Sequence, residues 1–302
     1  MRIGLAGLGR MGMNMVRRLV QGGHEVVAYN RTPAKVDEIA KEGAIPAYTL
    51  AELVSKLPAP RVVWLMLPAG DVTEEHVEEL KPLLQKGDIL VEGGNSRFTD
   101  DIRRAPALAE LGVTYLDAGV SGGIWGLKVG YCTMVGGPRE AFERIEPVLK
   151  TLAPPEGYLH CGSTGSGHYV KMVHNAIEYG MMQAYAEGFA LLDACRYSRE
   201  LDFQKLSHLW NQGSVIRSWL LELAEDMFAK DARLDGLKAY VDDSGEGRWS
   251  VQEAVDNAVP APVLTLALME RFRSRKENDF GDRVLAGLRN EFGGHAVVRK
   301  EK

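Results

Sequence analysis

The sequence predicts an α/β amino-terminal half built on a doubly wound parallel sheet, followed by an all-α carboxyl-terminal half. Three observations carry that expectation. Short apolar strands alternate with helical stretches from Arg2 to about residue 161. A glycine-rich turn, Gly7-Leu8-Gly9-Arg10-Met11-Gly12, joins the first strand to the first helix. From residue 165 onward the strand signals vanish and helical periodicity takes over. The expected domains are therefore 1–164 and 165–302.

Composition sets the outer limits. With 302 residues, 45% hydrophobic and 25% charged, the chain reads as a globular protein able to bury a large core. A net charge of -5 argues against nucleic acid or an anionic membrane as the main partner, while a small anionic substrate needs only a local basic cluster. Cys132, Cys161 and Cys195 stand far apart without metal-ligand spacing, so reduced thiols are expected, with neither a disulfide frame nor a metal site. Met1 leads directly into a strand and no apolar run reaches membrane-spanning length, which points to a cytoplasmic protein.

The first half follows in order. Arg2–Ala6 is an apolar strand, the glycine turn follows at once, a helix runs from Asn14 to Gln21, and Glu25–Tyr29 is the second strand. This strand-turn-helix-strand context is what a GxGxxG needs to bind a dinucleotide in a Rossmann-type fold. Gly7 permits the tight turn, Gly9 lets backbone approach a pyrophosphate, and Gly12 lets the helix pack closely, with its N-terminal N–H groups free for anions. Leu8, Arg10 and Met11 complete the cofactor loop. After the second strand an NAD enzyme usually carries an acid for the ribose hydroxyls; here Asn30-Arg31-Thr32 stands instead. An arginine there pairs a 2′-phosphate, so the expected cofactor is NADP, with NAD possible. Strands at 61–67, 88–91 and 113–118, with helices at 72–85 and 99–111, continue the alternation. The loops 67–70, 92–96 and 119–126 then open onto one crevice at the strands' carboxyl ends. Leu67, Pro68 and Ala69 would line the cofactor and Asn95 would bridge cofactor and substrate. Ser121, Gly122 and Gly123 offer a hydroxyl and backbone N–H groups suited to a carboxylate, although such loops are also ordinary turns. Thr133–Gly137, a helix at 139–150 and a strand at 157–161 close the half.

The second half reads as helices at about 166–197, 202–211, 215–229, 250–257, 260–275 and 279–291, with Asp242–Trp249 as a polar loop. In the first of these, Lys171, His174, Asn175 and Glu178 fall on one stripe amid Val170, Met172, Val173, Ala176 and Ile177. A possible base, two hydrogen-bonding groups and a possible acid on one apolar helix suit a cleft that holds a polyhydroxylated substrate. Arg271, Arg273 and Arg275 form either a phosphate-binding cluster or a solvated face. Arg289 and His295 lie six residues apart near the end of the chain.

The chain resembles the decarboxylating 6-phosphogluconate dehydrogenases, especially their short-chain branch, over essentially its whole length. The resemblance rests on GLGRMG at 7–12, NRT at 30–32, LPAGDVT at 67–73, GGNS at 93–96 and DAGVSGGIWGLKVGYCTMVGG at 117–137. GHYVKMVHNAIEYGMMQAYAEG at 167–188, DSGEGRW at 243–249 and the RNEFGGH tail extend it. It implies oxidative decarboxylation of 6-phospho-D-gluconate to ribulose 5-phosphate and CO2, in a pentose phosphate or gluconate-breakdown role, without metal. It further implies Lys171 as general base, a role that needs a neutral amine, Glu178 as the acid that protonates the enediol, and Asn175 beside them. Asn95, Ser121, Gly122, Gly123, His174 and Asn175 resemble substrate contacts, and Tyr179 and Arg271 phosphate contacts. Arg289 and His295 match a tail that completes a neighbouring subunit's site, which implies a homo-oligomer, dimer or tetramer. Long family members carry a Lys and a Thr before a Gly-Lys-Trp where this chain has Ser244-Gly245-Glu246-Gly247-Arg248-Trp249, so that loop's phosphate contacts do not carry over. The competing readings are a dehydrogenase for another β-hydroxy acid, such as 3-hydroxyisobutyrate, and a non-catalytic NADPH-sensing protein.

Overall fold

The computed structural model describes residues 1–277, 279–293 and 296–298. Contacts divide the chain into two units, Met1–Asn175 and Ala176–Lys302, so the division falls inside a long helix. The first unit comprises β1 (Arg2–Ala6), α1 (Arg10–Gln21), β2 (Glu25–Tyr29), α2 (Pro33–Ala40), β3 (Ile45–Ala47) and α3 (Leu50–Ser55). Then come β4 (Val62–Leu65), α4 (Asp71–Leu80), β5 (Ile89–Glu92), α5 (Phe98–Ala109), β6 (Thr114–Ser121) and α6 (Gly126–Val129). It ends with β7 (Cys132–Gly136), α7 (Arg139–Leu152), β8 (Tyr158–Gly162) and the start of α8 (Ser166–Ala194).

The strands form one sheet in the order β3-β2-β1-β4-β5-β6-β7-β8. Both faces of the sheet are covered over its inner strands, as β2 and β4 show. In β2, Val26 and Ala28 join the core under α1 and α7, while Val27 and Tyr29 join the core under α3, α4 and α5. In β4, Val62 and Trp64 go one way and Val63 and Leu65 the other. Side chains alternate across a strand, so a strand buried on both faces reads as an unbroken apolar run.

The expected parallel pairing holds through β6, but β7 runs antiparallel to β6, and β8 pairs parallel with β7. The reason lies in residues 122–131, which hold one turn of 3-10 helix and the four-residue α6. A crossover back to a parallel neighbour takes a dozen residues or more. The strand order reverses between β1's neighbours β2 and β4, so the turns after β1 and β4 flank the switch point where α/β sheets bind ligands.

The second unit carries the rest of α8 and then α9 (Phe203–Asn211), α10 (Trp219–Lys230), α11 (Glu246–Asp256), α12 (Pro262–Arg273) and α13 (Phe280–Gly293). Phe189 packs against Phe203, Trp210 and Phe228 with ring centroids 4.8–5.7 Å apart, joining α8, α9 and α10. The loop expected at 242–249 is shorter than its composition implies: Gly245, at φ 104°, caps α11, which begins at Glu246. Among the described residues no helix is long and apolar enough to cross a membrane. The three cysteines are free thiols.

Candidate active site

The turn after β1 is built by its glycines, each for a different reason. Gly7 has φ +105°, and a Cβ there would lie 2.3 Å from the Met66 carbonyl oxygen. A Cβ on Gly12 would lie 1.9 Å from the Gly7 carbonyl oxygen. Gly9 is different, because a Cβ there would meet nothing within 4 Å. Its open side is where a ligand can approach the backbone. Gly9 also caps α1, whose first turn holds no acidic residue and whose cap makes no side-chain hydrogen bond. The N–H groups of that turn are thus left for an anion, and the residues fit a dinucleotide pyrophosphate. Arg10 is exposed at the same turn and Met11 half-buried.

The end of β2 braces this turn. The Gly7 N–H donates to the Tyr29 carbonyl at 2.9 Å, and the Leu8 N–H to Asn30 Oδ1 at 2.9 Å. Asn30 also donates through Nδ2 to the Thr32 carbonyl at 3.4 Å, so its side chain shapes the loop. Arg31 and Thr32 are exposed beside it, with Thr32 leading into α2. From β4, the Leu67 side chain comes within 3.0 Å of the same Gly7 position, which places Leu67-Pro68-Ala69 next to the glycine turn.

A second group forms where β5 and β6 end and α8 begins. Asn95 adopts φ 57°, and its carboxamide grips β6 twice, accepting from the Val120 N–H at 2.8 Å and donating to the Val120 carbonyl at 3.0 Å. The neighbouring Ser121 Oγ stands 3.4 Å from His174 Nε2. Gly122 and Gly123, at φ 134° and 53°, turn the chain away. On α8, Lys171 donates its Nζ to Asn175 Oδ1, and His174 Nδ1 lies 3.0 Å from that same oxygen. His174 Nδ1 also stands 3.5 Å from Lys171 Nζ, so it can donate to the Asn175 oxygen when protonated or accept from the amine when not. Lys171 and Asn175 are buried, at 5% and 8% exposure.

The helix is inverted relative to an ordinary surface helix. Val170, Val173, Ile177 and Met181 are exposed while His168, Lys171 and Asn175 are buried. Glycines seat its first turn. A Cβ on Gly167 would lie 2.4 Å from the Met134 carbonyl oxygen, and one on Gly119 would lie 2.3 Å from Lys171 Cβ. Asp117, buried in the middle of β6, accepts from the N–H groups of Gly165 at 2.7 Å and His168 at 2.9 Å and so caps the helix. Burial raises the Asp117 carboxyl above its usual range, against the lowering effect of His168.

Sequence reasoning missed the residues beneath this helix. His168 places Nδ1 2.7 Å from Asp101 Oδ2 and Nε2 3.7 Å from Glu92 Oε2, all with side chains at 0% exposure. Despite burial, the carboxylates of Asp101, Glu92 and Asp117 push the imidazole up to about 9. Burial raises Glu92. Glu92, Asp101 and His168 are the one group among the described residues with metal-type ligand atoms within 4.8 Å of one another. Their closest pair, however, is a hydrogen bond. The available signal was an acid in each of two otherwise apolar strands, Glu92 at the end of β5 and Asp117 in the middle of β6.

In the second unit, Tyr179 and Arg271 come together: the guanidinium carbon lies 3.4 Å from the tyrosine ring centroid. Tyr179 OH accepts from the Ser244 N–H at 3.2 Å, and Arg271 donates to the Asp242 carbonyl at 2.8 Å. Arg248 and Arg275 both bind Asp243, holding its carboxyl down at about 2. Of the three-arginine cluster, two members therefore shape the 240–245 loop. Glu246 is buried and accepts from the Ser244 hydroxyl at 2.5 Å. Glu178 is half-buried on α8, two turns beyond Lys171. Arg289 is exposed on α13, and His295 lies outside the described residues.

A family model described as the NAD binding domain of 6-phosphogluconate dehydrogenase matches residues 2–165, and one for the C-terminal domain of 6-phosphogluconate dehydrogenase matches residues 167–300. The chain belongs to the 6-phosphogluconate dehydrogenase family. One relative in that family, from Haloferax volcanii, is named a decarboxylating, NAD(+)-dependent 6-phosphogluconate dehydrogenase; it is 45% identical over 100% of both chains. A Bacillus subtilis protein provisionally named a 6-phosphogluconate dehydrogenase is 46% identical over 99% of this chain and 100% of its own. Among solved structures, the Plasmodium falciparum 6-phosphogluconate dehydrogenase, described apo, with its cofactor NADP+ and with its substrate 6-phosphogluconate, superposes with a TM-score of 0.83 at 30% identity. That match covers 99% of this chain and 66% of the longer one.

Proposed function

We propose that this chain oxidises and decarboxylates 6-phospho-D-gluconate to D-ribulose 5-phosphate and CO2 with NADP+, or NAD+, as oxidant. The observation that carries the reading is the buried amine of Lys171 set against Asn175 and His174, with Ser121 beyond and Asn95 bound to the adjacent strand. When bound, the nicotinamide accepts a hydride from C3. The glycine turn at 7–12, Asn30-Arg31-Thr32 and Leu67-Pro68-Ala69 hold the nucleotide. Arg31 meets the 2′-phosphate, as no acid stands at that place.

Lys171 as a neutral amine takes the proton of the C3 hydroxyl. The product is a 3-keto acid. Protonated Lys171 then donates to the C3 oxygen, which draws in the electrons of the breaking C1–C2 bond as CO2 leaves. Asn175 and His174 fix the amine's direction. Glu178 protonates the former C2 of the enediol. Ser121, Gly122, Gly123 and Asn95 hold the carboxylate end, while Tyr179 and Arg271, with Arg289 and His295 from a neighbouring copy, hold the phosphate.

The division of labour, 1–164 for cofactor and 165–302 for substrate and assembly, belongs to the same proposal. So does a homo-oligomer, supported by the apolar Val170, Val173, Ile177 and Met181 stripe on α8 and by exposed Phe280, Leu285 and Leu288 on α13. Free thiols support a reducing, cytoplasmic setting.

The test is nucleotide reduction at 340 nm with 6-phosphogluconate and each nucleotide, with CO2 release measured in parallel. Lys171→Met should lower kcat by roughly 10²–10⁴-fold with NAD(P)H affinity near normal. Reduction without CO2, or a Lys171→Met variant within about tenfold of the parent, overturns the assignment.

A further inference from the structure

We infer that His168 is a positioning residue: bridging Glu92 and Asp101, it ties the turn that presents Asn95 to the turn of α8 that presents Lys171. The inference rests on the catalytic reading of Lys171 above, but its first readout is independent of catalysis.

Three elements meet at this imidazole. From β5, Glu92 spends Oε1 on the Gly94 N–H at 2.7 Å, so that carboxylate is part of the 93–96 turn. Among the described residues neither its Oε2 nor His168 Nε2 has a hydrogen-bond partner, and the two atoms face each other at 3.7 Å. From α5, Asp101 accepts from His168 Nδ1 at 2.7 Å and, on its other oxygen, from Tyr115 OH at 2.8 Å. From β6, Asp117 accepts the backbone N–H groups of Gly165 and His168. Lys171 follows one helical turn later, and Asn95 follows Glu92 by three residues. The imidazole is thus the side chain through which the two presenting turns share a support.

Charge explains why an imidazole stands there. The groups facing it are Glu92 from β5, Asp101 and Arg104 from α5, and Tyr115 and Asp117 from β6. Three are buried carboxyls, and Arg104 is the single other cation in the group; it donates through Nε to Glu74 at 2.9 Å, while its charge also acts on Glu92 and its Nη1 has no hydrogen-bond partner among the described residues. A buried carboxylate without a counter-charge costs far more than a lost contact. A neutral side chain in place of His168 leaves Glu92 either to take a proton or to move toward water. Either change reaches Gly94, and through the turn Asn95.

The experiment compares His168→Gln, which keeps a donor for Asp101 but carries no charge, with the parent. Asp101→Asn is the milder second variant should the first fold poorly, and the double variant Glu92→Gln/His168→Gln removes opposite charges together. Hydrogen exchange is measured on the full chain. We expect His168→Gln to raise exchange by about tenfold or more both in 93–96 and in the first turns of α8, with the 7–12 turn unchanged. The same variant should lose roughly 10²-fold in kcat at unchanged NAD(P)H affinity, and the double variant should recover part of that loss. The alkaline limb of the kcat profile should change shape in His168→Gln, which simple loss of folded protein does not produce. Unchanged exchange in 93–96 overturns the inference. So does a kcat loss that matches the unfolded fraction. If the parent fails to oxidise 6-phosphogluconate while exchange responds as expected, the catalytic reading fails and the mechanical link stands.

Discussion

Gly119→Ala tests how tightly the amine of Lys171 is set. Gly119 sits on β6 beneath the first turns of α8. An added methyl carbon would lie 2.3 Å from Lys171 Cβ, 2.9 Å from the Gly167 carbonyl oxygen and 3.0 Å from Lys171 Cγ. Ordinary contact begins near 3.4 Å, so strand and helix must part by about 1.1 Å. Gly119 is not among the positive-φ glycines, so alanine itself is not strained there and the effect is purely one of space. Overpacking of this kind costs about 1–3 kcal/mol of stability. A displacement of about 1 Å at a reacting group costs on the order of 10²-fold in rate. Urea unfolding gives the first number and initial rates at saturating nucleotide the second. A variant within about threefold of the parent kcat, at full folding, would show that α8 slides freely on β6 and would refute the reasoning.

Other outcomes follow from the charges. His168 titrates near 9 in the fold against its ordinary 6.5, so its contribution is complete below pH 6.5 and lost as pH rises through 9. Parent stability should therefore fall by about 3 kcal/mol more than that of His168→Gln between those limits, read from urea midpoints. A parallel pH dependence in the two proteins refutes it. Arg31→Ser should raise KM for NADP by roughly tenfold or more while sparing NAD, since a charge-assisted contact is worth about 1.5–3 kcal/mol. Equal shifts for both nucleotides would remove Arg31 from 2′-phosphate recognition. Asp243→Asn should destabilise the second unit by about 1–3 kcal/mol, because two arginines lose one acceptor. As its carboxyl is held down at about 2, the parent keeps that contribution above the ordinary carboxylate range and loses it as pH falls through 2.

What was legible in the sequence was what repeats or what a glycine dictates. The apolar strands and the glycine turn at 7–12 announced the sheet and its switch point, and the polar stripe at 171–178 announced the inverted helix. What escaped has physical reasons. β3 is three residues with Pro46 at its centre, too short for any alternation to show. The start of α11 hid because Asp-Asp-Ser-Gly-Glu-Gly reads as a turn, while the capping is done by the backbone freedom of Gly245. Strand direction is absent from local pattern, so β7's reversal against β6 went unforeseen, and a parallel neighbour was expected there. The cluster around His168 joins residues 92, 101, 117 and 168 from β5, α5, β6 and α8, whose meeting depends on tertiary packing that no local pattern carries.

The three glycines of the first turn are held by different masters. Two are required by neighbouring backbone oxygens, at 2.3 and 1.9 Å from where a side chain would begin, whether or not any nucleotide is present. Gly9 borders open space. An alanine there leaves the apo fold intact and would obstruct only a visiting pyrophosphate, so that single methyl group separates the chain's need to fold from its need to bind.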